Sequence, residues 1–336
     1  MQIEPFPIAP VDERVFSDLQ TSTMASAALT MARDIDLFDT LADAPRGISN
    51  VAAIHDVPLR SAEGLLATMA ALGCLESTPN GRYAVTELTR TYLLADSPFE
   101  THRLLIDDEP LVERLTTAYK SKDGPPEPYA VIMGDLSDEG IRTFIGQMHM
   151  ISLPAAGGLG KLEMFAQVGA LLDVGGGSGS LCCGVASQHP HIRCTIMDLA
   201  PVCRIAEENV AAYGLADRVT THAAGMFRDE WPTGHDAILF GNIFHDWDYA
   251  SCETLARRSF ETLDSGGRIR LHEMLLNEAK DGPLAVACMS LAMLMHEKGK
   301  QFTPSELEGL LADAGFVDFG VTPSFGYYSV ASARTP

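Results

Sequence analysis

The feature that most constrains this fold is the alternation of short apolar runs with longer amphipathic segments after Lys161. Five such runs, each followed by enough residues for a helical crossover, are typical of a parallel sheet. They are GALLDV, IRCTIMD, RVTTHA, DAILFG and GRIRLHE. Two more runs, FVDFGVTP and YYSVASA, lie too close together for a helix between them and are predicted to pair as an antiparallel hairpin at the sheet edge. The carboxyl part is therefore predicted to be an α/β domain.

The amino-terminal part follows a different pattern. Apolar residues recur at helical spacing from Ser22 to Asp43, and again in GISNVAAIHDV and PLRSAEGLLATMAALGCLES. The stretch from Cys74 to Leu93 contains two short strand-like runs around an Asn-Gly turn, which predicts a hairpin. Helices followed by a small hairpin are typical of a winged-helix module. We predict a winged-helix domain over residues 1–100, a helical connector and lid over 101–160, and the α/β domain over 161–336.

Composition limits the function. The 336 residues carry a net charge of −21, and no cluster of Lys and Arg could replace the counterions of a nucleic acid. The winged-helix module is therefore predicted to form a homodimer rather than to bind DNA. The amino terminus lacks a secretion signal pattern, and no apolar stretch is long enough to span a membrane, so we expect a cytoplasmic protein. The seven cysteines form no C-x-x-C pair and are expected to be reduced core residues.

A glycine-rich loop marks the first strand of the α/β domain. Asp173 ends the strand, and Gly175, Gly176, Gly177 and Gly179 form the turn before the next helix. Glycine permits a tight turn and a close backbone approach to a ligand. Asp198 ends the second strand, where an acid can hold two ribose hydroxyls. NAD and S-adenosylmethionine both satisfy this geometry.

The motifs that follow the glycine loop distinguish between NAD and S-adenosylmethionine. After the glycine loop come M-D-L-x-P, G-M-F at Gly225 to Phe227, and F-H-D-W at Phe244 to Trp247. With these motifs the sequence resembles the plant caffeic-acid and bacterial antibiotic O-methyltransferases over nearly the whole chain. The resemblance implies a Rossmann-like domain that binds S-adenosylmethionine (SAM), preceded by a mainly α-helical winged-helix dimerisation domain. It also implies an enzyme, a SAM-dependent methyltransferase of secondary-metabolite biosynthesis.

The resemblance also implies the residues that hold the donor. The loop glycines and Asp198 would bind it, and Met226 and Phe227 would flank its adenine. Where the family usually has Asp and Lys, this chain has Gly225 and Gly241, so hydrogen bonding at the adenine end must be rearranged through Asn242 or water. The implied donor-binding residues on this domain are Asp173, Gly175, Gly177, Asp198, Leu199, Gly225, Met226, Phe227 and Asn242.

Three further residues are assigned to the donor from the lid. Phe144, Met148 and Ser152 fall at i, i+4 and i+8 on one helical face. Spacing alone favours a plain buried stripe over a ligand-binding face. In the family such a face covers the donor, and the resemblance therefore assigns these side chains to the SAM site.

The predicted reacting site centres on His245, which follows the fourth strand at the edge where ligands of such sheets bind. In the family the matching histidine is the general base, and two acids orient it. The first acid corresponds to Glu273. The second should fall within KGKQFT, where this chain has Gln301, and a neutral amide cannot offset an imidazolium. The missing acid weakens the base hypothesis.

A second histidine suggests a different chemistry. His296 ends a segment in which Met289 and Met293 are predicted to line an apolar pocket. Together, His245, His296 and the missing acid resemble a smaller branch of the family, the 2-oxo acid C-methyltransferases of peptide-antibiotic pathways. That resemblance implies a non-haem iron or zinc ion bound by both histidines. Asp246 would then be a third ligand or would hold a metal-bound water.

The leading prediction is thus C-methylation at carbon 3 of a small 2-oxo acid, phenylpyruvate or a branched-chain 2-oxo acid, through a metal-stabilised enolate. His245, Asp246 and Glu273 are the predicted catalytic residues. The alternative is O-methylation of a phenolic or polyketide hydroxyl with His245 as the general base. A third hypothesis, a non-catalytic regulator that senses the donor, is disfavoured by the acidic charge.

Overall fold

The structure is a computed structural model, and the part that it describes is not continuous. It describes residues 35–57, 72–78, 80–99, 137–278 and 297–336, together with single positions within 22–34, 62–70 and 286–296. The chain divides into two compact units, Met1–Leu105 and Ile106–Pro336. Most of the connector predicted over 101–160 lies outside the described residues, so that three-part division stays a prediction.

The first unit combines short helices with a small antiparallel sheet. Its elements are α1 (Leu37–Ala42), β1 (Arg46–Gly47), α2 (Ile48–Ile54), β2 (Leu75–Ser77), β3 (Arg82–Val85) and α3 (Glu87–Tyr92). Strand β3 pairs with both β1 and β2. The predicted hairpin is confirmed, because Gly81 adopts a φ of 67° and the Thr78 N–H donates to the Arg82 carbonyl at 2.7 Å. The two-residue strand β1 is too short to leave a periodic signal in the sequence.

The second unit is a layered α/β domain. Its helices are α4 (Asp138–Leu159), α5 (Ser180–Gln188), α6 (Ala200–Ala212), α7 (Tyr249–Thr262) and α8 (Pro304–Asp313). Its strands are β4 (Ala170–Val174), β5 (Arg193–Asp198), β6 (Val219–Ala223), β7 (Ala237–Gly241), β8 (Arg268–Met274), β9 (Val317–Phe325) and β10 (Tyr328–Arg334). Short 3₁₀ turns at Glu163–Phe165 and Phe244–Asp246 complete the described elements.

The seven strands form one sheet in the order β6-β5-β4-β7-β8-β10-β9. The five strands from β6 to β8 are parallel, as predicted from the alternation of apolar runs and crossovers. The last two strands form the predicted antiparallel hairpin, and β9 is the edge strand. Because parallel strands end at the same edge, the segments after β4, β5, β7 and β8 meet there.

Helix α4 is fixed to two neighbouring helices. Near its start, Arg142 forms a bidentate ion pair with Glu208 of α6, at 2.6 and 2.9 Å. Near its end, its backbone touches that of α5, and a Cβ added at Gly184 would overlap the carbonyl of Ala156. Gly160 approaches the Gly184 carbonyl just as closely. This close seam of small residues sets the position of α4 against the sheet.

Two smaller expectations can be compared with the described residues. Six of the cysteines are described, and all six are buried free thiols, as the lack of a C-x-x-C pair predicted. Within the described part of the chain, no helix combines the length and apolar composition that a membrane crossing requires.

Candidate active site

The glycine loop joins β4 to α5 and leaves open space above its backbone. Gly175, Gly177 and Gly179 adopt φ values of 70°, 54° and 77°, in the left-handed region that favours glycine. The Gly175 N–H donates to the Met197 carbonyl at 2.8 Å, which ties the loop to β5. Among the described residues, no atom outside the loop's own neighbouring residues lies within 4 Å of a Cβ placed on Gly177. A ligand can therefore approach the peptide backbone closely at this point.

Asp198 lies where β5 ends, and it holds the glycine loop. One carboxylate oxygen accepts the Gly177 N–H at 2.9 Å, and the other accepts the N–H of Leu199 at 2.7 Å. Burial raises the pKa of this carboxyl. Each oxygen has a second lone pair and can still accept a hydroxyl from a ribose. The structure thus brings together Gly177, Asp198 and Leu199, three of the residues that the sequence analysis assigned to the donor.

Asp173 is a buried carboxyl beneath the same loop. Its residue is 1% exposed, and neither oxygen accepts a hydrogen bond from an N–H or O–H group among the described residues. Burial raises its pKa to about 7, and the neighbouring thiol of Cys182 acts in the opposite direction. A buried carboxyl without a strong partner is suited to a positively charged ligand nearby. The sulfonium and ammonium groups of SAM satisfy that requirement.

The region assigned to the adenine from the sequence contains aromatic residues and the two departures at Gly225 and Gly241. Phe227 and Trp247 pack edge to face with ring centroids 4.6 Å apart. Gly225 stands where the family usually has Asp, and its N–H donates to the Asp229 carboxylate at 2.7 Å. A carboxylate from four residues further along the chain therefore lies beside Gly225. At Gly241, an added Cβ would overlap the end of the Leu181 side chain, which occupies that space.

The three residues that the sequence analysis assigned to a lid lie on helix α4. Phe144, Met148 and Ser152 are each partly buried. Phe144 packs against a small cluster that includes Ile141 and Val202. The helical face predicted from their spacing is therefore present.

His245 is held in the 3₁₀ turn that follows β7, and its residue is 8% exposed. Its Nδ1 lies 3.0 Å from Glu273 Oε2, and its Nε2 lies 3.2 Å from Asp246 Oδ1. The other oxygen of Glu273 accepts the backbone N–H groups of Ile243 and Phe244 at 3.1 and 3.0 Å. The buried acid of β8 thus fixes both the imidazole and the turn that carries it.

Two carboxylates control the charge of this imidazole. Burial alone would lower the pKa of His245, but the charges of Glu273 and Asp246 outweigh it and hold the pKa well above its usual value. In the neutral tautomer that carries its proton on Nδ1, beside Glu273, the Nε2 lone pair faces Asp246 and can take up a proton. Such an imidazole can accept a proton, and the two acids then stabilise the imidazolium that forms.

Gln301 occupies the position expected of the second acid. It is fully buried, and its Nε2 lies 3.1 Å from His245 Nδ1. The segment that carries it lies directly on the turn, because a Cβ added at Gly299 would overlap the His245 carbonyl. The sequence analysis therefore identified a residue that contacts His245. It inferred from the neutral amide that the base had lost its support, whereas Glu273 and Asp246 supply negative charge beside the ring.

The metal site predicted from His245 and His296 finds no support. Among the described residues, no group of three or more His, Cys, Asp and Glu side chains is arranged to hold a metal ion. His296 is described at the end of its helix, but its side chain does not belong to a metal-ligating group. These residues do not fit the predicted metal, and we assign none.

Tyr328 is a residue of this region that sequence reasoning missed. It begins β10, and its hydroxyl accepts a hydrogen bond from the Asn242 side chain at 3.3 Å. Burial raises its pKa, and the charges of His245 and Glu273 also act on it. No motif marks Tyr328, because only the pairing of β10 with β8 brings it to the reacting site.

Comparison with known proteins gives the family. Residues 130–317 match the O-methyltransferase domain, and residues 17–95 match the O-methyltransferase dimerisation domain. The chain belongs to the O-methyltransferase family. It is a SAM-dependent methyltransferase with a Rossmann-like catalytic fold and an amino-terminal dimerisation domain. The second match also supports the predicted homodimer.

The individual relatives are named for different methylation reactions. The 3-hydroxy-5-methyl-1-naphthoate 3-O-methyltransferase of Streptomyces sahachiroi is 33% identical over 307 residues, 90% of this chain and 88% of its own. The human N-acetylserotonin methyltransferase in complex with SAM is 25% identical, covers 98% of this chain and 99% of its own, and has a TM-score of 0.76. The L-tyrosine C(3)-methyltransferase of Streptomyces lavendulae is 33% identical over 148 residues, 44% of this chain and 40% of its own.

Proposed function

We propose that this methyltransferase of the O-methyltransferase family methylates a hydroxyl group on an aromatic small molecule, with His245 as the general base. The observation that carries this proposal is the placement of the buried imidazole between two carboxylates, with Nδ1 3.0 Å from Glu273 and Nε2 3.2 Å from Asp246. Three relatives that match 90% or more of this chain, the naphthoate, acetylserotonin and tetracenomycin enzymes, are named for O-methylation and support the same reaction.

The donor would be held at the ends of β4 and β5. When bound, SAM supplies an electrophilic methyl group on a positively charged sulfur. Gly175 and Gly177 would contact it through their backbone, and Asp198 and Leu199 would bind its ribose. Asp173 would stabilise its positive charge. The residues assigned to its adenine and to its outer face are Gly225, Met226, Phe227, Phe144, Met148 and Ser152.

His245 would prepare the acceptor for attack. Its Nε2 removes the hydroxyl proton while Glu273 holds the opposite proton on Nδ1 and stabilises the imidazolium. General-base assistance of this kind contributes about 10² to 10⁴ in rate. Because the carboxylates raise the pKa of His245, the neutral base becomes more abundant as the pH rises through that pKa. The rate should therefore increase towards alkaline pH.

Carbon methylation of a 2-oxo acid has weaker support. The amide at Gln301 and the partial match to a tyrosine C-methyltransferase are consistent with it. The described residues, however, do not form the metal site that an enolate mechanism would use. Glu273 and Asp246 instead supply the negative charge that a base mechanism needs.

One product analysis tests the choice. Purified enzyme is incubated with labelled SAM and, separately, with 2-naphthol and phenylpyruvate, and the methyl group is located by NMR. We expect label on oxygen of the naphthol, and loss of at least a hundredfold in kcat for His245→Gln. The matched control is His235→Gln, because His235 lies beside the opposite end of β7 and contacts Thr195. Label only on carbon 3 of phenylpyruvate would reject the proposal.

A further inference from the structure

Helix α4 is joined to the glycine loop through the side chain of His149. Its Nδ1 lies 2.9 Å from the hydroxyl of Ser178 in the loop, and its Nε2 lies 2.8 Å from the hydroxyl of Tyr213 at the end of α6. The rings of His149 and Tyr213 stack with centroids 5.9 Å apart and an angle of 22° between the planes. The imidazole thus bridges two hydroxyl groups that belong to different elements.

The bridge is suited to a neutral imidazole. Burial lowers the pKa of His149, which favours the uncharged ring. A neutral imidazole has one N–H donor and one acceptor nitrogen, and each hydroxyl can take the complementary role. Both contacts can therefore be made without a charge on the ring.

Ser178 is the residue through which neighbouring helices hold the glycine loop. It is 4% exposed and lies between Gly177 and Gly179, which both have left-handed backbones. Its carbonyl accepts the side-chain N–H of Asn209 of α6 at 3.1 Å, while its hydroxyl contacts His149. Glycine has access to more backbone conformations than any other residue. The two contacts at Ser178 therefore restrict a loop that its glycines would otherwise leave free to move.

Helix α4 does not depend on His149 for its own position. The ion pair between Arg142 and Glu208 fixes its start, and the close backbone contact at Gly184 fixes its end. His149 lies between these two contacts, one residue after Met148, which is proposed to contact the outer face of SAM. The contact at His149 is thus better placed to hold the loop than to hold the helix.

We propose that His149 is a positioning residue of the donor site, which holds the glycine loop through Ser178 in the conformation that binds SAM. Gly177 precedes Ser178, and its backbone is proposed to contact SAM, so any displacement of Ser178 also moves the binding surface. Without this contact the loop would occupy the binding conformation for a smaller fraction of the time, and the apparent affinity would fall by that fraction. The inference rests on the donor placement in the proposed function and not on which acceptor atom is methylated.

Two substitutions of His149 separate its two contacts. The carboxamide of Asn reaches about as far as Nδ1, so His149→Asn can keep the bond to Ser178. The carboxamide of Gln reaches about as far as Nε2, so His149→Gln can keep only the bond to Tyr213. Asn is also the poorer helix former of the two. A purely structural role in α4 would make His149→Asn the more impaired variant, whereas loop positioning gives the opposite order for donor affinity.

Calorimetry with S-adenosylhomocysteine, the demethylated product of SAM, measures this affinity without turnover. We expect His149→Gln to raise the dissociation constant about 3- to 10-fold, as the loss of one neutral hydrogen bond would give, and His149→Asn to stay within about twofold of the wild type. Ser178→Ala should resemble His149→Gln. Because both substitutions remove the same contact, the double variant should lose no further affinity.

The matched control is His191→Gln, since His191 is exposed and contacts the ring of His189 rather than the loop. Thermal unfolding should find His149→Asn no more stable than His149→Gln. Wild-type affinity in His149→Gln, or a larger loss in His149→Asn than in His149→Gln, would overturn the proposal.

Asp198→Ala shows at which level a failure occurs. If this variant binds S-adenosylhomocysteine as tightly as the wild type, the donor placement itself is wrong and the role of His149 falls with it. If Asp198→Ala binds about tenfold more weakly while His149→Gln binds normally, the donor placement stands and only the role of His149 is rejected.

Discussion

Glu273→Gln is the substitution that most directly tests how the imidazole is activated. Oε1 of Glu273 accepts two backbone N–H groups of the turn, while Oε2 lies 3.0 Å from His245 Nδ1. In the variant, the amide oxygen can keep the two backbone bonds, which places the amide NH₂ against Nδ1. Gln301 already presents an amide nitrogen 3.1 Å from the same atom. With two amide donors around it, Nδ1 becomes an acceptor and the ring proton moves to Nε2.

An imidazole with its proton on Nε2 cannot remove a proton from the acceptor. The corresponding acid-to-amide change in the serine protease triad lowers kcat about 10⁴-fold through the same exchange of tautomers. His245 retains the carboxylate of Asp246, 3.2 Å from Nε2, which limits the loss. We therefore expect kcat to fall about 10² to 10⁴-fold, or about 3 to 5 kcal/mol of transition-state stabilisation.

The assay measures kcat, the dissociation constant of SAM and thermal stability for Glu273→Gln and for a matched control. The control is Glu278→Gln, because Glu278 is exposed and accepts only the Ser305 N–H among the described contacts. The donor constant should change less than about threefold in both variants, because Glu273 contacts no donor residue. A Glu273→Gln enzyme that folds, binds SAM and keeps more than a tenth of its kcat would refute the tautomer argument.

Three further predictions concern neighbouring groups. Gln301→Glu places a second carboxylate near Nδ1 of His245 and adds up to about 4 kcal/mol of charge interaction with the imidazolium. The midpoint of the profile of kcat/KM against pH should therefore move upward by about 1 to 3 pH units. An unchanged pH profile would contradict this. Burial raises the pKa of Asp173 to about 7, and its ionised form should bind cationic SAM more tightly than its neutral form. Calorimetry should therefore show that the affinity for SAM rises as the pH increases through about 7. Asp173→Asn should abolish that rise. Gly299→Ala should displace the His245 backbone, lowering stability by about 1 to 3 kcal/mol in denaturant unfolding and reducing kcat.

Much of the catalytic unit could be predicted from local pattern. Strand-end residues such as Asp198 and His245 were located because parallel strands bring their carboxyl ends to one edge. The closing hairpin followed from the short spacing between β9 and β10. These inferences need only strand order and chain direction, which the alternation of apolar runs indicates.

What the sequence could not indicate were contacts made across the sheet. Replacement of an acid by Gln301 suggested that His245 had lost its support, yet Glu273 and Asp246 flank both ring nitrogens. The metal hypothesis rested on that position together with His245 and His296. Tyr328 was missed for the same reason, since its role depends on its pairing with Met274 and its distance to Asn242. Side-chain distances of this kind are set by tertiary packing and leave no periodic trace.

The close seam between α4 and α5 also has a consequence for recombining this enzyme with its relatives. Helix α4 carries Phe144, Met148 and Ser152, the residues proposed to contact the outer face of SAM, so it is an obvious segment to exchange. Its Ala156 and Gly160, however, touch the backbone at Gly184, where any added side chain would collide. In a functional chimera, the segment taken from a relative should therefore correspond to residues 137–188, so that both helices and the glycine loop come from the same protein.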